Sequence, residues 1–500
     1  MARALAEVVD GLQFRTSAWI NGEFVAARDG RTYVTENPAT GQPLAEVASC
    51  GAADVDHAVS AARRSFEAGV WADLSPTERK KILIRFADLI DAHADELAVT
   101  ETLDAGKPIA DVRALDIPDT AATIRWHAEV VDKLYDEVAP TGPGAVAMVV
   151  REPSGVVGAV IPWNYPAQMA AWKLGPVLAT GNSIVIKPAG QTALSLLRIA
   201  ELGGEAGIPP GVLNVVPGSG EVVGVAIARH PDIDVVAFTG STEVGRTFLH
   251  HSADSNLKRV VLELGGKSPQ VVMADAPPLD HIAPRILDAV FWNMGENCSA
   301  GSRLIVHRSR QKELVERLVA AATRDWLVGD PMDDTTRIGP LITRGHMERV
   351  LGYIETGRQD GARLVAGGGR VREDSGGHFV SPTIFDNATN QMRIAREEIF
   401  GPVLTVIPFD TEDEAIAIAN DTPYGLAASL YTENLRVAHR MARVLRAGTV
   451  GVNTYSEGDL STPFGGYKQS GFGGHDKSAH AHDQYTEVKT IWIDLAEPGS

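Results

Sequence analysis

The sequence predicts an α/β protein with a doubly wound parallel sheet, followed by a second α/β domain. From residue 156 onward, short β-branched runs alternate with helical patterns, and a similar series covers about 300 to 465. The chain has 500 residues, enough for about three domains at roughly 150 residues each. With 44% hydrophobic and 22% charged residues, its composition is globular, and wholesale disorder or a fibrous fold does not fit.

The elements follow in chain order. Apolar spacing of three and four residues predicts helices over 54–68 and 76–99, with Asp54 and Ser75 as caps. Strands are predicted over 156–162, 182–188, 211–218, 234–240 and 259–266, with a helix over 193–207 among them. The alternation indicates βαβ units and therefore a parallel sheet. In the second series we predict strands over 302–307, 362–368 and 402–409, and a helix over 310–326.

Two further segments, 144–153 and 485–495, have strand composition but no adjacent helix. Such strands leave edges to be covered, and pairing with another subunit is one way to cover them. They are therefore candidates for an oligomerisation arm.

Charge and cysteine content exclude several classes of function. Lys and Arg number 46 against 64 Asp and Glu, a net charge of −18, so no nucleic-acid or membrane partner is expected. No apolar run of membrane-spanning length and no N-terminal apolar leader segment is found, and we expect a cytoplasmic protein. Cys50 and Cys298 are the two cysteines, too few for a disulfide framework or a thiolate zinc site.

Cys298 is the candidate nucleophile. A lone cysteine is more often an inert core thiol, but Cys298 lies in GENCSAGS, a polar, glycine-containing stretch between an apolar helix and an apolar strand. A ligand could reach a sulfur in such a stretch, and the sulfur could be activated there as a thiolate. Cys50 has no base or glycine cradle near it in sequence, and we expect it to be an inert core thiol.

The sequence gives little support for other enzyme classes that use a nucleophilic side chain. None of the 14 histidines lies in a recognisable pairing motif for a cysteine protease, and no GxSxG elbow is present. Glu263 closes the apolar strand 259–264 and faces glycines. It is either a satisfied structural carboxylate or a base with a raised pKa, and both alternatives remain open.

The glycine-rich stretches differ in how well they match nucleotide-binding motifs. Gly218, Gly220 and Gly224 are one residue off the dinucleotide fingerprint, and GGKS at 265–268 lacks the first P-loop glycine. The run 234–246 is better placed, because a strand ends at Gly240 and a helix begins at Ser241 or Thr242, offering free N–H groups to a pyrophosphate. Lys187, at a strand end, either holds a ribose or phosphate or is a surface lysine.

Segment 473–485 is rich in His and Asp. Since it contains no metal-ligand pattern of known geometry, we expect a solvated tail and no metal site.

Taken together, six motifs resemble the NAD(P)-dependent aldehyde dehydrogenase superfamily along nearly the whole chain. They are IPWNYP with Asn164, IKP with Lys187, GSTEVG at 240–245, LELGGKSP with Glu263, GENCSAGSR with Cys298, and EEIFGPV with Glu398 and Phe400. The resemblance implies a coenzyme domain over 1–130 and 153–262, a catalytic domain over 263–477, and an oligomerisation arm over 131–152 and 478–500. A homodimer or homotetramer is then expected.

The resemblance also implies catalytic roles. Cys298 attacks the aldehyde, the Asn164 amide and the Cys298 N–H hold the oxyanion, and Glu263 activates the water that hydrolyses the thioester. Branches that pass the acyl group to coenzyme A typically lack this base, so its presence implies a hydrolytic enzyme. Lys173 and Asp476 would complete a proton path behind Glu263, where many relatives carry Glu instead of Asp476.

The implied cofactor is NAD. By resemblance Lys187 binds the adenosine ribose, Trp163 and Ser241 the pyrophosphate region, and Glu398 the nicotinamide ribose, with Phe400 near the ring. The other residues assigned to this site are Ile161, Pro162, Gly190, Gly220, Phe238, Gly240, Val244, Leu264 and Gly265. Gly190 is a departure, because many NAD-preferring relatives have Glu there, whose carboxylate repels a 2′-phosphate. We therefore predict NAD use with measurable NADP use.

The substrate is expected to be a small aldehyde. Glu457 and Asp459 could attract an ammonium or guanidinium group, or could be two solvated loop acids. Most of the second half looks most like the γ-glutamyl-γ-aminobutyraldehyde dehydrogenase branch of polyamine breakdown, which favours amino- or acylamino-aldehydes. The remaining candidate substrate-binding residues are Tyr165, Trp172, Trp292, Asn297, Tyr455 and Phe464, of which Trp172 and Trp292 could equally be core.

Three alternatives remain. The enzyme could have broad specificity for aliphatic and aromatic aldehydes. The chain could be a noncatalytic member of the fold, against which the intact Cys298, Glu263 and Asn164 argue. A thiol esterase or amidase would use the same nucleophile without cofactor, and the GSTEVG and EEIFGPV segments disfavour it.

Overall fold

The computed structural model describes residues 2–496, in which the strands form four sheets. The largest has eight strands in the spatial order Gly471–Phe472, Arg259–Leu264, Val235–Gly240, Val156–Val160, Ser183–Lys187, Leu213–Val215, Ala18–Ile20 and Glu23–Val25. The five strands between residues 156 and 264 are parallel to one another, which confirms the doubly wound sheet.

This sheet has a topological switch point. From Val156–Val160 the chain adds strands first on one side, through Ser183–Lys187, and then on the other, through Val235–Gly240. Loops after the two neighbouring strands therefore separate and leave a crevice at their carboxyl ends, where ligands bind in folds of this type.

The second sheet has seven strands, in the order Arg363–Ala366, Thr383–Asp386, Val403–Phe409, Arg303–His307, Pro269–Val272, Ala427–Tyr431 and Thr449–Val452. Its pairs are parallel except that of Arg363–Ala366 with Thr383–Asp386. The predicted second α/β unit is thus present. The domain boundary at 262/263 stays a prediction, and the continuous strand Arg259–Leu264 runs across it.

A third sheet joins the two detached segments. Thr486–Asp494 pairs antiparallel with Ala145–Pro153, which pairs with Glu137–Ala139. Val488 and Trp492 on the outer strand are 67% and 64% exposed. Residue 1 of the predicted coenzyme domain and residues 497–500 of the predicted arm lie outside the described residues. A two-stranded hairpin, Thr32–Asn37 with Gln42–Ala48, completes the sheets.

The helices cover the faces of the two large sheets. The α-helices are Ala2–Gly11, Ala52–Glu67, Pro76–Ala92, Ala94–Ala105, Ile109–Asp111, Ile117–Val130, Pro166–Ala179, Leu194–Ala206, Val225–Arg229, Thr242–Ala253, Leu279–Phe291, Arg308–Asp325, Arg344–Gln359, Arg393–Arg396, Glu412–Asn420, Leu435–Val444 and His480–Asp483. Short π or 3₁₀ turns occupy Val112–Asp116, Gly220–Gly224, Trp292–Gly295, Glu373–Ser375 and Lys468–Ser470. Between residues 2 and 496, no helix is long and apolar enough to cross a membrane.

Asp54, predicted as a helix cap, is instead the third residue of helix Ala52–Glu67, whose N-cap is Gly51, and its carboxylate accepts from the Gly51 N–H at 2.8 Å. Two further predictions about local structure are wrong. The helix predicted over 76–99 breaks at His93, which caps the end of Pro76–Ala92 and the start of Ala94–Ala105 with a ψ of 22°. Asp95 and Glu96 favour a new helix start there, because acidic side chains stabilise the first turn.

The second error concerns segment 473–485, which is not a solvated tail. Asp476, His482 and Tyr485 are buried. Asp476 forms an ion pair with Lys173 of helix Pro166–Ala179, and the His482 and His127 rings are 2.9 Å apart between nitrogens. These long-range contacts draw a polar segment into the interior. Within the described part of the chain, no group of three or more His, Cys, Asp or Glu side chains could hold a metal ion.

Candidate active site

A cavity of about 330 Å³ lies at the switch point. It brings together many of the predicted site residues, which are Pro162, Trp163, Asn164, Tyr165, Trp172, Gly240, Ser241, Glu263, Leu264, Gly265, Asn297, Cys298, Glu398, Phe400, Glu457 and Phe464. Predicted residues outside its lining are Ile161, Lys173, Lys187, Gly190, Gly220, Phe238, Val244, Trp292, Tyr455, Asp459 and Asp476.

The backbone before Cys298 turns sharply. Asn293 and Met294 have φ angles of 51° and 56°, and Gly295 has φ 71°. A Cβ on Gly295 would lie 2.3 Å from the Gly401 carbonyl oxygen, so only glycine fits there. The turn ends helix Leu279–Phe291 and brings Cys298, which is half-buried, to the cavity. The other cysteine, Cys50, is buried in the core, and burial raises its pKa to about 12.

Asn164 is held in a fixed orientation beside this turn. Its side-chain Nδ2 donates to the Glu296 backbone carbonyl at 2.9 Å. The backbone carbonyl of Asn164 accepts from Asn293 Nδ2 at 3.0 Å and from Lys107 Nζ at 3.1 Å. One amide hydrogen is thereby used, and the other remains for a ligand. Within residues 2–496 the Cys298 backbone N–H has no hydrogen-bond acceptor. These are two donors suited to an oxyanion.

The electrostatic surroundings of Cys298 disfavour its thiolate. Burial, followed by the carboxylates of Glu457, Glu398 and Glu263, raises the pKa of Cys298 well above its usual value, and the Ser299 N–H opposes the shift. Negative charge close to a thiol penalises a second negative charge. These surroundings favour the protonated thiol of Cys298 over its thiolate.

Glu263 is a carboxylate without hydrogen bonds. It is 4% exposed, and neither carboxylate oxygen has a partner among the described residues. Burial and Asp476 raise the pKa of Glu263 well above its usual value, against the opposing charge of Lys173. Because a structural carboxylate would be hydrogen-bonded, the structure favours the base over the alternative that the sequence left open.

Lys173 and Asp476 lie behind Glu263 and outside the cavity. Their side chains are fully buried and form an ion pair, and the second carboxylate oxygen of Asp476 has no partner in the described residues. Both charges influence the Glu263 carboxyl. This arrangement is consistent with the positions that the resemblance implied for a proton path.

The two loop acids have different surroundings. Glu457 lines the cavity, and its Oε1 accepts from Asn297 Nδ2 and from the Tyr455 hydroxyl, each at 3.1 Å, and from the Ser299 hydroxyl. Asp459 is exposed and accepts from the Ser461 N–H and hydroxyl within a turn. Of the two, only Glu457 is placed to meet a ligand in the cavity.

Aromatic side chains line the same side. Trp172 and Phe464 pack edge to face with centroids 5.2 Å apart, and Tyr165 lies nearby in the lining. Lys477 Nζ lies 4.7 Å from the centre of the Trp172 ring. Trp292 instead packs against the core and does not line the cavity.

The cofactor side is formed by close-approach glycines. A Cβ on Gly240 would lie 2.6 Å from the Phe238 ring, and one on Gly265 would lie 2.2 Å from the Glu398 carboxylate. Ser241 caps helix Thr242–Ala253 by accepting from the Val244 N–H at 3.3 Å, as predicted for this helix start. The helix N-terminus at the cavity offers a positive dipole end to a pyrophosphate.

Glu398 and Lys187 flank this region. Glu398 accepts from the Gly266 N–H at 3.0 Å, and burial raises its pKa to about 7. Lys187 is buried, donates to the Pro188 carbonyl at 2.6 Å, and has its pKa lowered to about 8 by burial, so it is not a surface lysine. A Cβ on Gly224 would lie 4.0 Å from the Lys187 side chain, which places the turn Gly220–Gly224 beside it. These residues fit a dinucleotide.

Two residues that sequence reasoning missed contact this site. The His346 ring donates to the Phe400 carbonyl at 2.6 Å and packs against Trp163, and Arg349 donates to the Glu398 carbonyl at 3.0 Å. Both lie on helix Arg344–Gln359, three residues apart and thus on one face. Their contacts are with residues about 50 positions away in the chain, and no local sequence pattern marks them as site residues. Further unpredicted lining residues are Gln168, Met169, Gln191, Thr239, Ile342 and Thr343.

Comparison with known proteins agrees with this geometry. A model of the aldehyde dehydrogenase family matches residues 24–491. The aminoacetaldehyde dehydrogenase of Pseudomonas aeruginosa is 55% identical over 491 residues, 98% of each chain. Among solved structures, γ-glutamyl-γ-aminobutyraldehyde dehydrogenase from Burkholderia cenocepacia has TM-score 0.97 and 53% identity, covering 99% of this chain and 100% of that one. P. syringae AldA, an indole-3-acetaldehyde dehydrogenase in complex with NAD⁺ and IAA, has TM-score 0.97 and 51% identity over 99% of each chain.

Proposed function

The chain belongs to the aldehyde dehydrogenase family, and we propose that this NAD(P)-dependent member oxidises aminoaldehydes to the corresponding carboxylic acids by way of a hydrolysed thioester. The observation that supports this substrate class is Glu457, an acid that lines the cavity beside the nucleophile. The amino group of such a substrate is an ammonium at neutral pH and would be attracted to that carboxylate.

The reaction begins at Cys298. Its sulfur attacks the aldehyde carbon, and the resulting oxyanion accepts hydrogen bonds from Asn164 Nδ2 and the Cys298 N–H. Ser241, Lys187 and Glu398 would hold NAD(P), which would supply the hydride acceptor when bound. We assign the next proton transfer to Glu263, whose free carboxylate oxygens accept a proton from the water that releases the acid.

The position of Glu457 also suggests the length of the substrate. Its Oε1 is bound by Asn297 and Ser299, the residues on either side of Cys298. These contacts place the carboxylate close to Cys298 and favour a short separation between the ammonium group and the carbonyl carbon of the substrate. Short aminoaldehydes meet this requirement. The Pseudomonas aeruginosa relative is named for a short aminoaldehyde, aminoacetaldehyde.

The aromatic lining supports a second candidate. Trp172, Phe464 and Tyr165 offer apolar surface to an aryl or long aliphatic aldehyde, and the P. syringae relative is an indole-3-acetaldehyde dehydrogenase. A broad-specificity enzyme would use this surface and gain nothing from Glu457.

A paired set of aldehydes separates the two. 3-Aminopropanal and butanal are nearly equal in shape and differ in charge. We expect the purified enzyme to prefer 3-aminopropanal, and Glu457→Gln to reduce that preference at least tenfold, about 1.4 kcal/mol of transition-state discrimination. Asp459→Asn is the matched control, because it removes a charge from the same loop outside the cavity. If Glu457→Gln keeps the full preference, the aminoaldehyde assignment is wrong.

We also propose that Thr486–Asp494 pairs with a second subunit to give a homodimer or homotetramer. Val488 and Trp492 on this edge strand are exposed in the single chain, and pairing would cover its free backbone groups. Sedimentation of the intact protein tests this assembly, and a monomer would contradict it.

Finally, we propose a cytoplasmic location. The supporting observation is that Cys50 and Cys298 are both free thiols, the state that a reducing compartment maintains.

A further inference from the structure

We propose that Glu457 links the charge of the substrate to the reactivity of Cys298, so that a cationic aldehyde increases the nucleophilicity of the cysteine as it binds. The inference rests on the proposed function, in which Glu457 binds the ammonium group. It goes beyond that function because the acid then affects the rate of the chemical step as well as substrate binding.

The first support is the fixed position of the carboxylate. Three donors hold Glu457 Oε1, and two of them, Asn297 and Ser299, are the immediate neighbours of Cys298. Asn297 and Ser299 also form a hydrogen bond with each other, in which the Ser299 N–H donates to the Asn297 side-chain oxygen at 3.1 Å. The carboxylate, the two flanking side chains and the nucleophile therefore form one connected unit.

The second support is the free side of the same carboxylate. Its Oε2 makes no hydrogen bond within the described residues and is not among their buried unpartnered atoms, while Glu457 lines the cavity. A ligand cation can thus reach Oε2 without displacing the donors on Oε1. Oε1 therefore anchors the carboxylate to the protein, and Oε2 remains available to bind the ligand cation.

The charges around the thiol decide the direction of the effect. Glu457, Glu398 and Glu263 reach Cys298 from three different elements, and Glu457 has the largest effect of the three. Tyr165 and Tyr455 are also close, but burial raises their pKa values and keeps them neutral. Neutralising Glu457 with an ammonium removes the strongest electrostatic opposition to the thiolate.

The chemical step balances without another reactant. The Cys298 thiol loses its proton to water in the cavity, and the sulfur lone pair forms the C–S bond. The carbonyl π pair moves to oxygen, and the resulting oxyanion accepts hydrogen bonds from Asn164 Nδ2 and the Cys298 N–H. A neutral aldehyde follows the same path but leaves the Glu457 charge uncompensated.

Alkylation of the full-length enzyme by iodoacetamide across pH tests the inference directly. Propylammonium supplies the cation without an aldehyde, and 1-propanol is its neutral control. We expect propylammonium to shift the midpoint of the Cys298 profile down by about one pH unit, and 1-propanol to leave it in place. The midpoint is read separately from the high-pH plateau, so steric shielding by the ligand is not confused with the shift. Cys298→Ala measures the background from buried Cys50.

Variants separate this inference from the proposed function. Glu457→Gln should have a lowered midpoint already and no response to propylammonium, while Asp459→Asn should respond as the wild type does. If propylammonium leaves the wild-type midpoint unchanged although Glu457→Gln loses the preference for 3-aminopropanal, Glu457 only binds the substrate and this inference is wrong. If the preference is also unchanged, the proposed function itself fails.

Discussion

Two carboxylates, Glu263 and Glu457, line the cavity with Cys298 and have contrasting environments. Glu263 is buried and has no hydrogen-bond partner on either oxygen among the described residues. Glu457 is half-buried, and one of its oxygens accepts from three donors. Both raise the pKa of the same thiol, yet their chemistry differs. The difference in hydrogen bonding supports the two roles proposed for them, a proton acceptor for Glu263 and a cation-binding group for Glu457.

The physical reason is the cost of the charged form. Burial without donors raises the pKa of a carboxyl group, so its ionised form is a stronger base toward water. A carboxylate that accepts several hydrogen bonds is held in a fixed position, as Glu457 is, and a cation in the cavity can meet it there. The predictions that follow would break or sharpen this contrast.

Removal of the proton acceptor should have the largest effect. We expect Glu263→Gln to lower steady-state turnover by about 10²–10⁴-fold, since the thioester still forms but its hydrolysis lacks a base. Rapid mixing should show a burst of NADH followed by a stall. Glu457→Gln should show no such stall, and a uniformly slow trace for Glu263→Gln would place the base elsewhere.

The ion pair behind Glu263 should be the next most sensitive. Lys173→Met leaves Asp476 as an uncompensated buried charge beside Glu263, and we expect the free energy of unfolding to fall by about 3–5 kcal/mol. Lys80→Met is the control, because the Lys80–Asp132 pair is partly exposed and should contribute about 0–1 kcal/mol. Urea denaturation measures both. Equal losses for the two variants would contradict the buried pairing.

The pH dependence of turnover should also identify the acceptor. Glu263 accepts a proton only when ionised and its pKa is raised, so hydrolysis-limited kcat should increase with pH, about tenfold per unit, until pH exceeds that pKa. Asp476→Asn removes a charge that raises this pKa, and its profile should shift to lower pH. A shift to higher pH would exclude the electrostatic role of Asp476.

A third carboxylate can be introduced on the cofactor side. Around Gly190 there is space, because the nearest atom to an added Cβ is Tyr33 Cε2 at 4.0 Å. We expect Gly190→Glu to raise the NAD/NADP ratio of kcat/KM by about tenfold, through attraction to the ribose 2′-OH and repulsion of a 2′-phosphate. Gly190→Gln is the isosteric control without charge. An unchanged ratio in Gly190→Glu would refute the assignment of this position.

Much of the site could be predicted because its signals are local. Strand ends at 160, 187, 240 and 264, the Ser241 cap and the glycine turn before Cys298 are short-range patterns, and parallel strands bring their carboxyl ends to one edge. His346 and Arg349 were missed because their contacts with Phe400 and Glu398 are long-range. The sequence of their own helix does not reveal those contacts. Trp292 was assigned to the substrate site, but it packs against the core.

The sequence by itself determined the α/β class, the two α/β units and a helix start at Ser241 or Thr242, and it predicts Cys298 as the nucleophile. Each of these depends on neighbouring residues or on a linear motif. Only the tertiary structure decided that Glu263 has no partner, that Glu457 rather than Asp459 lines the cavity, and that Asp476 is buried against Lys173, 303 residues away. Burial and charge pairing are properties of long-range contacts, and they set the proton affinity on which the chemistry depends.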